Sequence, residues 1–306
     1  MPDYSIVATT YNDENEILSY LVNICEQSLP PAEVVIADGG SNDDTVAVIE
    51  RFALNSDIPV RVVKNGRLNI SQGYNEAIRA TRTDLIGVTG IGNEYEKDYF
   101  QKLLAHFEQE TCDMTYSPIR GKDNGAFSEK YNNTILHGKK GLRLSIASNH
   151  GALVKKHIFE DLGFFYEKFI YAGEDAEFYT LVAARDYKIE RVDDALVYWS
   201  TPTSYPEYFR QIKVYSIAEL QIHDHKILSR NAIIAVLPIL LAMILTWYPI
   251  YLLIYVGLSL FAVFVLTLKF YTEKKSIILW LCNKFLPFFY YVKYRKYYRK
   301  EYQVKR

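Results

Sequence analysis

Two short apolar runs near the N-terminus each end in polar residues, and this pattern constrains the fold more than any other feature of the chain. The first run is Ser5–Glu14 (SIVATTYNDE) and the second is Val34–Thr45 (VVIADGGSNDDT). Each predicts a buried strand followed by a loop and then a helix. Because the carboxyl ends of neighbouring parallel strands meet at one edge of a sheet, we expect the two loops to form one ligand site.

The polar residues of these loops suit a nucleotide. The ring of Tyr11 can stack on a base, and Asp13 and Asp38 can accept hydrogen bonds from a base or a ribose. Gly40 and the preceding Gly39 allow a ligand to approach the backbone closely. No G-x-G-x-x-G follows the first strand and no G-x-x-x-x-G-K-[ST] occurs, which argues against a Rossmann dinucleotide site and a P-loop.

The first 120 residues alternate between strand and helix patterns, which predicts an α/β fold with a mostly parallel central sheet. Strands are predicted near 4–9, 33–38, 59–64, 84–89 and 112–117, and helices near 14–27, 42–54, 70–81 and 96–109. Residues 118–145 are polar and lack periodicity, so they are predicted to form a loop that covers an acceptor or lies on the surface.

The two loops resemble the matching segments of family 2 glycosyltransferases with the GT-A fold, which read P-T-Y-N-E and V-D-G-G-S-x-D-G-T. The resemblance continues in the same order through Asn65–Ile78, Tyr171–Phe178 and Ala195–Trp199, over roughly the first two-thirds of the chain. It implies an inverting enzyme that takes a sugar from a nucleotide sugar. It also implies that Thr9, Arg67 and Asn75 line the nucleotide site together with the loop residues named above.

The segment after the fourth predicted strand departs from these relatives. Most GT-A enzymes carry D-x-D there and hold Mg²⁺ or Mn²⁺ with its carboxylates, whereas this chain has Gly90-Ile91-Gly92. One branch of the family has T-D-A-G, which Thr89–Gly92 resembles without the aspartate. The leaving nucleoside diphosphate still requires positive charge, and three interpretations stay open. They are a cation held by Asn93 or Glu94, compensation by Arg67, Arg210 or Lys213, and a catalytically inactive module that assists assembly or senses a nucleotide sugar.

Glu174 and Asp175 follow Gly173 at the start of a predicted helix that ends near Arg185. The helix dipole favours ionised carboxylates in the first turn, and an ionised Asp175 can accept a proton from an acceptor hydroxyl. The resemblance assigns Asp175 as the base, while Glu174 orients the acceptor or the backbone. The alternative is that the two acids only cap the helix. His150 precedes them where the family builds its substrate floor, but a lone histidine beside a glycine is as typical of packing.

Charge is distributed unevenly along the chain. Residues 231–306 carry 11 Lys/Arg against 2 Asp/Glu, or +9, and residues 1–230 carry 24 against 34, or −10. Asn231–Leu268 contains no charged residue, which favours a membrane hairpin of two helices turning at Trp247–Pro249 over a buried soluble hairpin. The predicted domains are therefore 1–228 for the GT-A domain, 229–269 for the transmembrane hairpin and 270–306 for an interfacial segment and basic tail.

The flanking basic residues predict the orientation and the surroundings of the chain. Lysines and arginines on both sides of the uncharged run place both of its ends in the cytosol. Met1 runs directly into the first strand without a signal peptide, which agrees with a cytosolic catalytic domain at an inner or plasma membrane. Residues 276–292 are expected to lie in the membrane interface, and the tail Lys293–Arg306 to contact anionic headgroups rather than nucleic acid. The membrane anchor and the resemblance together imply a lipid-linked or polysaccharide acceptor.

Overall fold

A computed structural model describes residues 2–107, 112–136, 147–169, 171–222, 237, 240, 241, 243, 244, 247–272 and 276–294. The chain forms two compact units. The first comprises Met1–Lys122 and Gly141–Ser200, and the second comprises Asp123–Lys140 and Thr201–Arg306.

The strands of the first unit form two sheets within the described residues. They are β1 (Ser5–Thr10), β2 (Glu33–Asp38), β3 (Val60–Lys64), β4 (Leu85–Val88), β5 (Asn93–Tyr95), β6 (Met114–Tyr116), β7 (Ile119–Gly121), β8 (Ala152–Lys155), β9 (Ile189–Arg191) and β10 (Val197–Trp199). The large sheet has the order β3-β2-β1-β4-β8-β6-β9, and the small sheet has the order β5-β10-β7. Strands β3, β2, β1 and β4 are mutually parallel, whereas β8 is antiparallel to both β4 and β6. The prediction of a mostly parallel α/β sheet is confirmed.

The helices of the first unit follow the predicted alternation. They are α1 (Ile17–Cys25), α2 (Thr45–Ala53), α3 (Ile70–Ala80), α4 (Tyr99–Leu104), α6 (Lys156–Leu162) and α7 (Glu174–Ala183), with α5 in the second unit. Helix α3 begins with a capping box, because Asn69 accepts from the backbone of Gln72 while the Gln72 side chain accepts from the backbone of Asn69. Helix α4 is shorter than predicted, since a 3₁₀ turn replaces its end at Ala105–Phe107.

The large sheet is buried on both faces, as a parallel sheet requires. Side chains alternate along β1, so Ile6 and Ala8 pack into one apolar cluster with α1 and α4, while Val7 packs into the other with α3, α6 and α7. This burial fixes the register of the strands, because a shift by one residue would exchange the two faces. The edge at the carboxyl end of β1 is thereby held in a defined place.

The second unit consists of helices within the described residues. They are α5 (Ala126–Tyr131), followed by a π-helical turn at Asn132–Leu136, α8 (Tyr205–Ile222), α9 (Pro249–Thr272) and α10 (Ile277–Tyr294). The hydroxyl of Tyr208 donates to the carbonyl of Leu279 at 3.1 Å, and both residues are buried. Helix α8 therefore packs on α10. The domain boundaries at 228 and 269 stay a prediction. The prediction that 118–145 forms a loop is wrong for β7 and α5. Both elements are too short for their sequences to show a period.

Most of the first half of the predicted membrane hairpin lies outside the described residues. Helix α9 begins at Pro249, directly after the aromatic pair Trp247-Tyr248. Among the described residues, no helix combines the length and the apolar character that a membrane crossing requires. Large apolar side chains nevertheless face outward along α9; they are Ile250, Leu253, Ile254, Val256, Leu258, Leu260, Phe261, Val263, Phe264, Val265 and Leu268.

Candidate active site

The loops that follow β1 and β2 are bonded to each other. Thr10 and Asp38 end the two strands side by side in register. Beyond them, the backbone N–H of Asn12 donates to Oγ of Ser41 and the N–H of Asn42 donates to Oδ1 of Asn12, both at 2.9 Å. Asn12 adopts a left-handed conformation with φ of 58°, which turns its side chain toward the second loop. The two predicted nucleotide loops therefore lie together.

The carboxylates of Asp13 and Asp38 hold the backbone of these loops. Oδ2 of Asp13 accepts from the Thr10 hydroxyl at 2.8 Å and from the Tyr11 N–H at 3.0 Å. Asp38 is buried and accepts from the N–H groups of Gly40 and Ser41 at 3.1 to 3.2 Å. Within the described part of the chain, Oδ1 of Asp13 accepts no hydrogen bond. The two aspartates shape the pocket, and Asp13 retains an acceptor for a ligand.

Four predicted nucleotide residues lie in or beside this pair of loops. Tyr11 is 51% exposed, so its ring is available for stacking. Gly40 has a φ of +91°, and a Cβ there would lie 3.6 Å from Cα of Arg67, whose side chain is exposed. Thr9 packs against α3, because a Cβ at Gly73 would lie 2.7 Å from its Cγ2. Tyr11 and Arg67 can reach a ligand, whereas Thr9 chiefly joins β1 to α3.

Asn75 is placed differently from the other predicted nucleotide residues. It is buried on α3 and donates to the carbonyl of Phe165 at 2.8 Å and to Oε1 of Glu167 at 2.9 Å. Its own Oδ1 accepts from the N–H of Phe165 at 2.9 Å. These bonds join α3 to the segment after α6. Both hydrogens of Nδ2 are in use, so Asn75 could offer a ligand only the second lone pair of Oδ1.

The residues after β4 do not fit the divalent cation implied by the resemblance. Gly90 and Gly92 offer no side-chain ligand, and Gly92 has a φ of +84°. The amide oxygen of Asn93 faces a ring nitrogen of His150, and Glu94 forms an ion pair with Lys122 at 3.1 Å. Among the described residues, no group of three or more His, Cys, Asp and Glu side chains could hold a metal ion.

The antiparallel strand β8 brings two further polar residues to this edge. Its first residue, Ala152, pairs with Val88 at the end of β4, so Asn149 and His150 lie beside the turn after β4. Because Oδ1 of Asn93 can only accept, Nδ1 of His150 carries the hydrogen that bonds it at 3.0 Å. The imidazole also packs on Trp199, with ring centroids 5.1 Å apart. Burial lowers the pKa of His150 to about 4, so the ring is neutral at pH 7. Within the described part of the chain, Nε2 of this ring forms no hydrogen bond.

The predicted acidic pair lies at the start of α7 and is bonded to the same segment. Nδ2 of Asn149 donates to Oε1 of Glu174 at 3.2 Å, and the hydroxyl of Tyr179 donates to Oδ1 of Asn149 at 3.2 Å. Oε2 of Glu174 is buried without a hydrogen-bond partner in the described part of the chain. Asp175 accepts at 2.7 Å from the N–H of Ala176.

The protonation of this pair differs from the prediction that the helix dipole keeps both acids ionised. Burial, with the charge of Asp175 as the second cause, raises the pKa of Glu174 to about 8. Burial also raises the pKa of Asp175 and outweighs the hydrogen bonds from backbone N–H groups. Glu174 therefore carries a proton at neutral pH. The raised pKa makes Asp175 a stronger base once it is ionised.

Asn149 is not among the predicted site residues, and the contact between Asn93 and His150 is not predicted from the sequence. Those residues meet only because β8 reverses direction beside β4, and no local period in the sequence shows that pairing. One edge of the large sheet thus carries, in order, Asp38 after β2, Tyr11 and Asp13 after β1, the glycine turn after β4, and the Asn149–His150 segment before β8. The polar loops and the acid pair thus lie at the carboxyl edge of the parallel strands, where open α/β sheets bind their ligands.

Comparison with known proteins identifies the family. Residues 5–163 match glycosyl transferase family 2, and the chain belongs to that family. It is 22% identical over 222 residues to EpsJ, an uncharacterised glycosyltransferase of Bacillus subtilis, with 68% of this chain and 64% of EpsJ aligned. It is 26% identical over 143 residues to chondroitin synthase of Escherichia coli, covering 46% of this chain and 21% of that protein. The chain thus spans less than two-thirds of the length of either relative.

Solved structures agree on the fold. The mannosyltransferase PcManGT of Pyrobaculum calidifontis, in complex with GDP-Man and Mn²⁺, superposes with a TM-score of 0.57 at 20% identity, covering 72% of this chain and 64% of that one. Residues 1–349 of TarS from S. aureus, in complex with UDP-GlcNAc, superpose with a TM-score of 0.53 at 14% identity, covering 72% and 68%. The fold is therefore GT-A-like.

Proposed function

We propose that this protein transfers a sugar from a nucleotide sugar to a lipid-linked or polysaccharide acceptor in cell-surface glycan synthesis. The proposal depends on one observation at the carboxyl edge of the large sheet. The loops that contain Tyr11, Asp13 and Asp38 lie at this edge, and so does the segment that is bonded to Glu174, next to Asp175. Structural neighbours bound to GDP-Man and UDP-GlcNAc support a nucleotide-sugar donor.

The chemistry follows from the placement of Asp175. Its ionised carboxylate takes the proton of an acceptor hydroxyl while that oxygen forms a bond to the anomeric carbon. The bond from the anomeric carbon to the diphosphate breaks in the same step, and the nucleoside diphosphate leaves. A single displacement inverts the configuration at the anomeric carbon. Glu174, protonated and held by Asn149, positions the start of α7.

The outward apolar side chains of the second unit support an acceptor at a membrane. Along α10, Ile278, Leu281, Phe285 and Phe289 are exposed at helical spacing on one face, whereas Leu279 is buried against α8. Together with the apolar surface of α9, this face fits lipid, and the basic tail after it fits anionic headgroups. The proposed location is the cytosolic face of an inner or plasma membrane.

Nucleotide-sugar turnover by the full chain, purified in detergent or nanodiscs, tests this function. A panel of UDP- and GDP-sugars would be offered with lipid-linked and oligosaccharide acceptors, and the anomeric configuration of the product would be read by NMR. We expect transfer with inversion. A retained configuration would overturn the mechanism, and binding of nucleotide without any turnover would overturn the enzymatic function.

Nucleotide binding without turnover would favour a different function. The lack of carboxylates at Gly90 and Gly92 also favours that function. In that case the protein would be an inactive GT-A module that acts as an assembly partner or a nucleotide-sugar sensor. Such a module would bind nucleoside diphosphate with the same loops. It would be insensitive to substitution of Asp175 in every assay.

A further inference from the structure

The imidazole of His150 occupies the place in the site where a counter-charge for the diphosphate is needed. β4 lies between β1, which carries the nucleotide loop, and β8, which follows His150. Neighbouring strands are spaced by about 5 Å, so the nucleotide loop and His150 are about 10 Å apart across the glycine turn. A diphosphate that extends from the nucleotide loop toward the acid pair must pass this turn.

The turn itself carries no charged side chain, and the carboxylate of Glu16 lies beside Gly92. The turn itself is Gly90-Ile91-Gly92, and Lys122 is already paired with Glu94 at 3.1 Å. The described residues there do not form a metal site. A departing diphosphate gains negative charge as its bond to the sugar breaks, and a fixed positive partner lowers the barrier.

Two neighbours of His150 suit a protonated ring. Oδ1 of Asn93 accepts the Nδ1 hydrogen at 3.0 Å, and this bond persists when the ring is protonated. The face of Trp199 lies within the range in which an aromatic ring attracts a cation. Asn93 is held in turn, because its Nδ2 donates to the hydroxyl of Tyr95 at 3.3 Å. Burial alone keeps the ring neutral in the free protein, and the negative charge of a bound diphosphate opposes that effect.

We propose that His150 takes up a proton from solvent when the nucleoside diphosphate binds and, as an imidazolium, neutralises the charge of that leaving group. The inference rests on the proposed function and names a further catalytic residue for it. The proton adds to Nε2, no other covalent bond changes, and the proton returns to solvent when the diphosphate leaves.

The titratable groups on the elements around His150 are expected to keep their charge when the nucleotide binds. His150 is therefore the group proposed to change its charge. Tyr95 on β5 and Tyr99 on α4 are buried, and burial raises the pKa of both phenols, so they stay neutral. On α7, Glu174 carries a proton at neutral pH and Asp175 is the base. Glu94 and Lys122 compensate each other.

Calorimetry of UDP and GDP binding to the full chain tests the proposal. Titrations at pH 6.5 with EDTA, in two buffers of different ionisation enthalpy, give the number of protons taken up. The variants are His150→Gln, which cannot become charged, and His150→Lys, which carries a fixed charge. His157→Gln is the matched control, because His157 is exposed on α6 after Lys155, at the opposite edge of the sheet.

We expect the wild type and His157→Gln to take up more protons on binding than His150→Gln, whose affinity should fall at least tenfold at pH 6.5. The difference in affinity should shrink as the pH rises to 9, and His150→Lys should bind without the extra proton. Equal proton uptake and equal affinity in the wild type and His150→Gln would overturn the inference while leaving the proposed function intact. A wild type that binds neither nucleotide would instead overturn the proposed function.

A second measurement does not depend on any variant. Histidine side-chain NMR of the wild type should show one imidazole change from the neutral to the doubly protonated form when the nucleotide is added. An unchanged spectrum in the presence of saturating nucleotide would overturn the inference.

Discussion

Asn149 donates a hydrogen bond of 3.2 Å to Glu174 and thereby ties the segment before β8 to the first turn of α7. The bond explains how an acid pair that begins 25 residues further along the chain reaches the edge that carries the nucleotide loops. It also fixes which acid is free to react, since Glu174 is held by this bond while Asp175 contacts only backbone N–H groups among its described hydrogen-bond partners.

Asp175→Asn should lower kcat by about a hundredfold or more, because general base catalysis typically contributes that much. Donor binding should change little, since the amide keeps the size of the side chain. Initial-rate kinetics with the best donor would measure both effects. Asp186→Asn, an exposed acid after α7, is the matched control and should behave like the wild type. Equal kcat for Asp175→Asn and the control would remove Asp175 from the chemistry.

The pH dependence of the reaction should reflect the buried base. Because burial raises the pKa of Asp175, the residue is protonated at pH values where an exposed aspartate is ionised. The rate should therefore rise with pH on the acidic side, with a midpoint above the ordinary aspartate range. A pH profile of kcat for the full chain measures this midpoint, and an acidic limb at or below pH 4 would contradict the assignment.

Asp38→Ala should weaken binding of nucleoside diphosphate by about 1.5–3 kcal/mol, the range for losing a hydrogen bond to a charged group. The structure adds a second cause, because Asp38 also holds the N–H groups of Gly40 and Ser41. Asp38→Asn keeps an acceptor oxygen and should lose less affinity than Asp38→Ala. Calorimetry on both folded variants measures their affinity for nucleoside diphosphate. Wild-type affinity in Asp38→Ala would exclude Asp38 from the binding site.

Glu33 should stabilise the fold from the edge of the sheet opposite the site. Burial alone would raise its pKa, but hydrogen bonds from Arg61, the Arg82 backbone and Ser5 outweigh burial and lower it. A lowered pKa gives stability that is present above the ordinary glutamate range and is lost as the pH falls through the folded value. Glu33→Gln should lower the free energy of unfolding by about 1.5–3 kcal/mol at pH 7.

Urea denaturation at pH 7 measures this effect. Glu50→Gln breaks the exposed pair with Lys64 and should cost less than about 1 kcal/mol. Equal losses in the two variants would show that the buried network around Glu33 adds nothing beyond a surface ion pair.

Two substitutions on α9 should release the chain from membranes. Leu253 and Leu260 are 73% and 66% exposed and lie two helical turns apart on one face. An aspartate within the lipid costs about 3 kcal/mol, so Leu253→Asp with Leu260→Asp should shift the protein toward the soluble fraction. Leu54→Asp is the control, because Leu54 is equally exposed in the first unit. A double variant that stays in high-salt-washed membranes would show that α9 is not the anchor.

The parts of the fold with a regular period were predictable from the sequence. Helices α1 to α3 were, because apolar residues recur along them at helical spacing. Strands β1 to β4 were, because each is a short apolar run bounded by polar residues. The loops after β1 and β2 were predictable for a different reason, since parallel neighbours must end at the same edge. The acid pair at the start of α7 was also placed correctly at a helix start.

What the sequence could not show depends on contacts between distant segments. The side chain of Asn75 sits on a regular helix, yet its partners Phe165 and Glu167 come from far along the chain. The proximity of Asn93 and His150 requires the reversal of β8. The raised pKa of Glu174 arises from burial, which is a property of the whole domain rather than of the helix start.

The hydrogen bonds between the loops after β1 and β2 affect how much conformational entropy these loops lose when a ligand binds. Asn12, Ser41 and Asn42 order both loops during folding, before any ligand is present. A binding surface that is already ordered loses little conformational entropy when the ligand arrives, so more of the contact energy appears as affinity. If the protein binds a nucleotide as proposed, the loops that hold it are therefore already in place before binding.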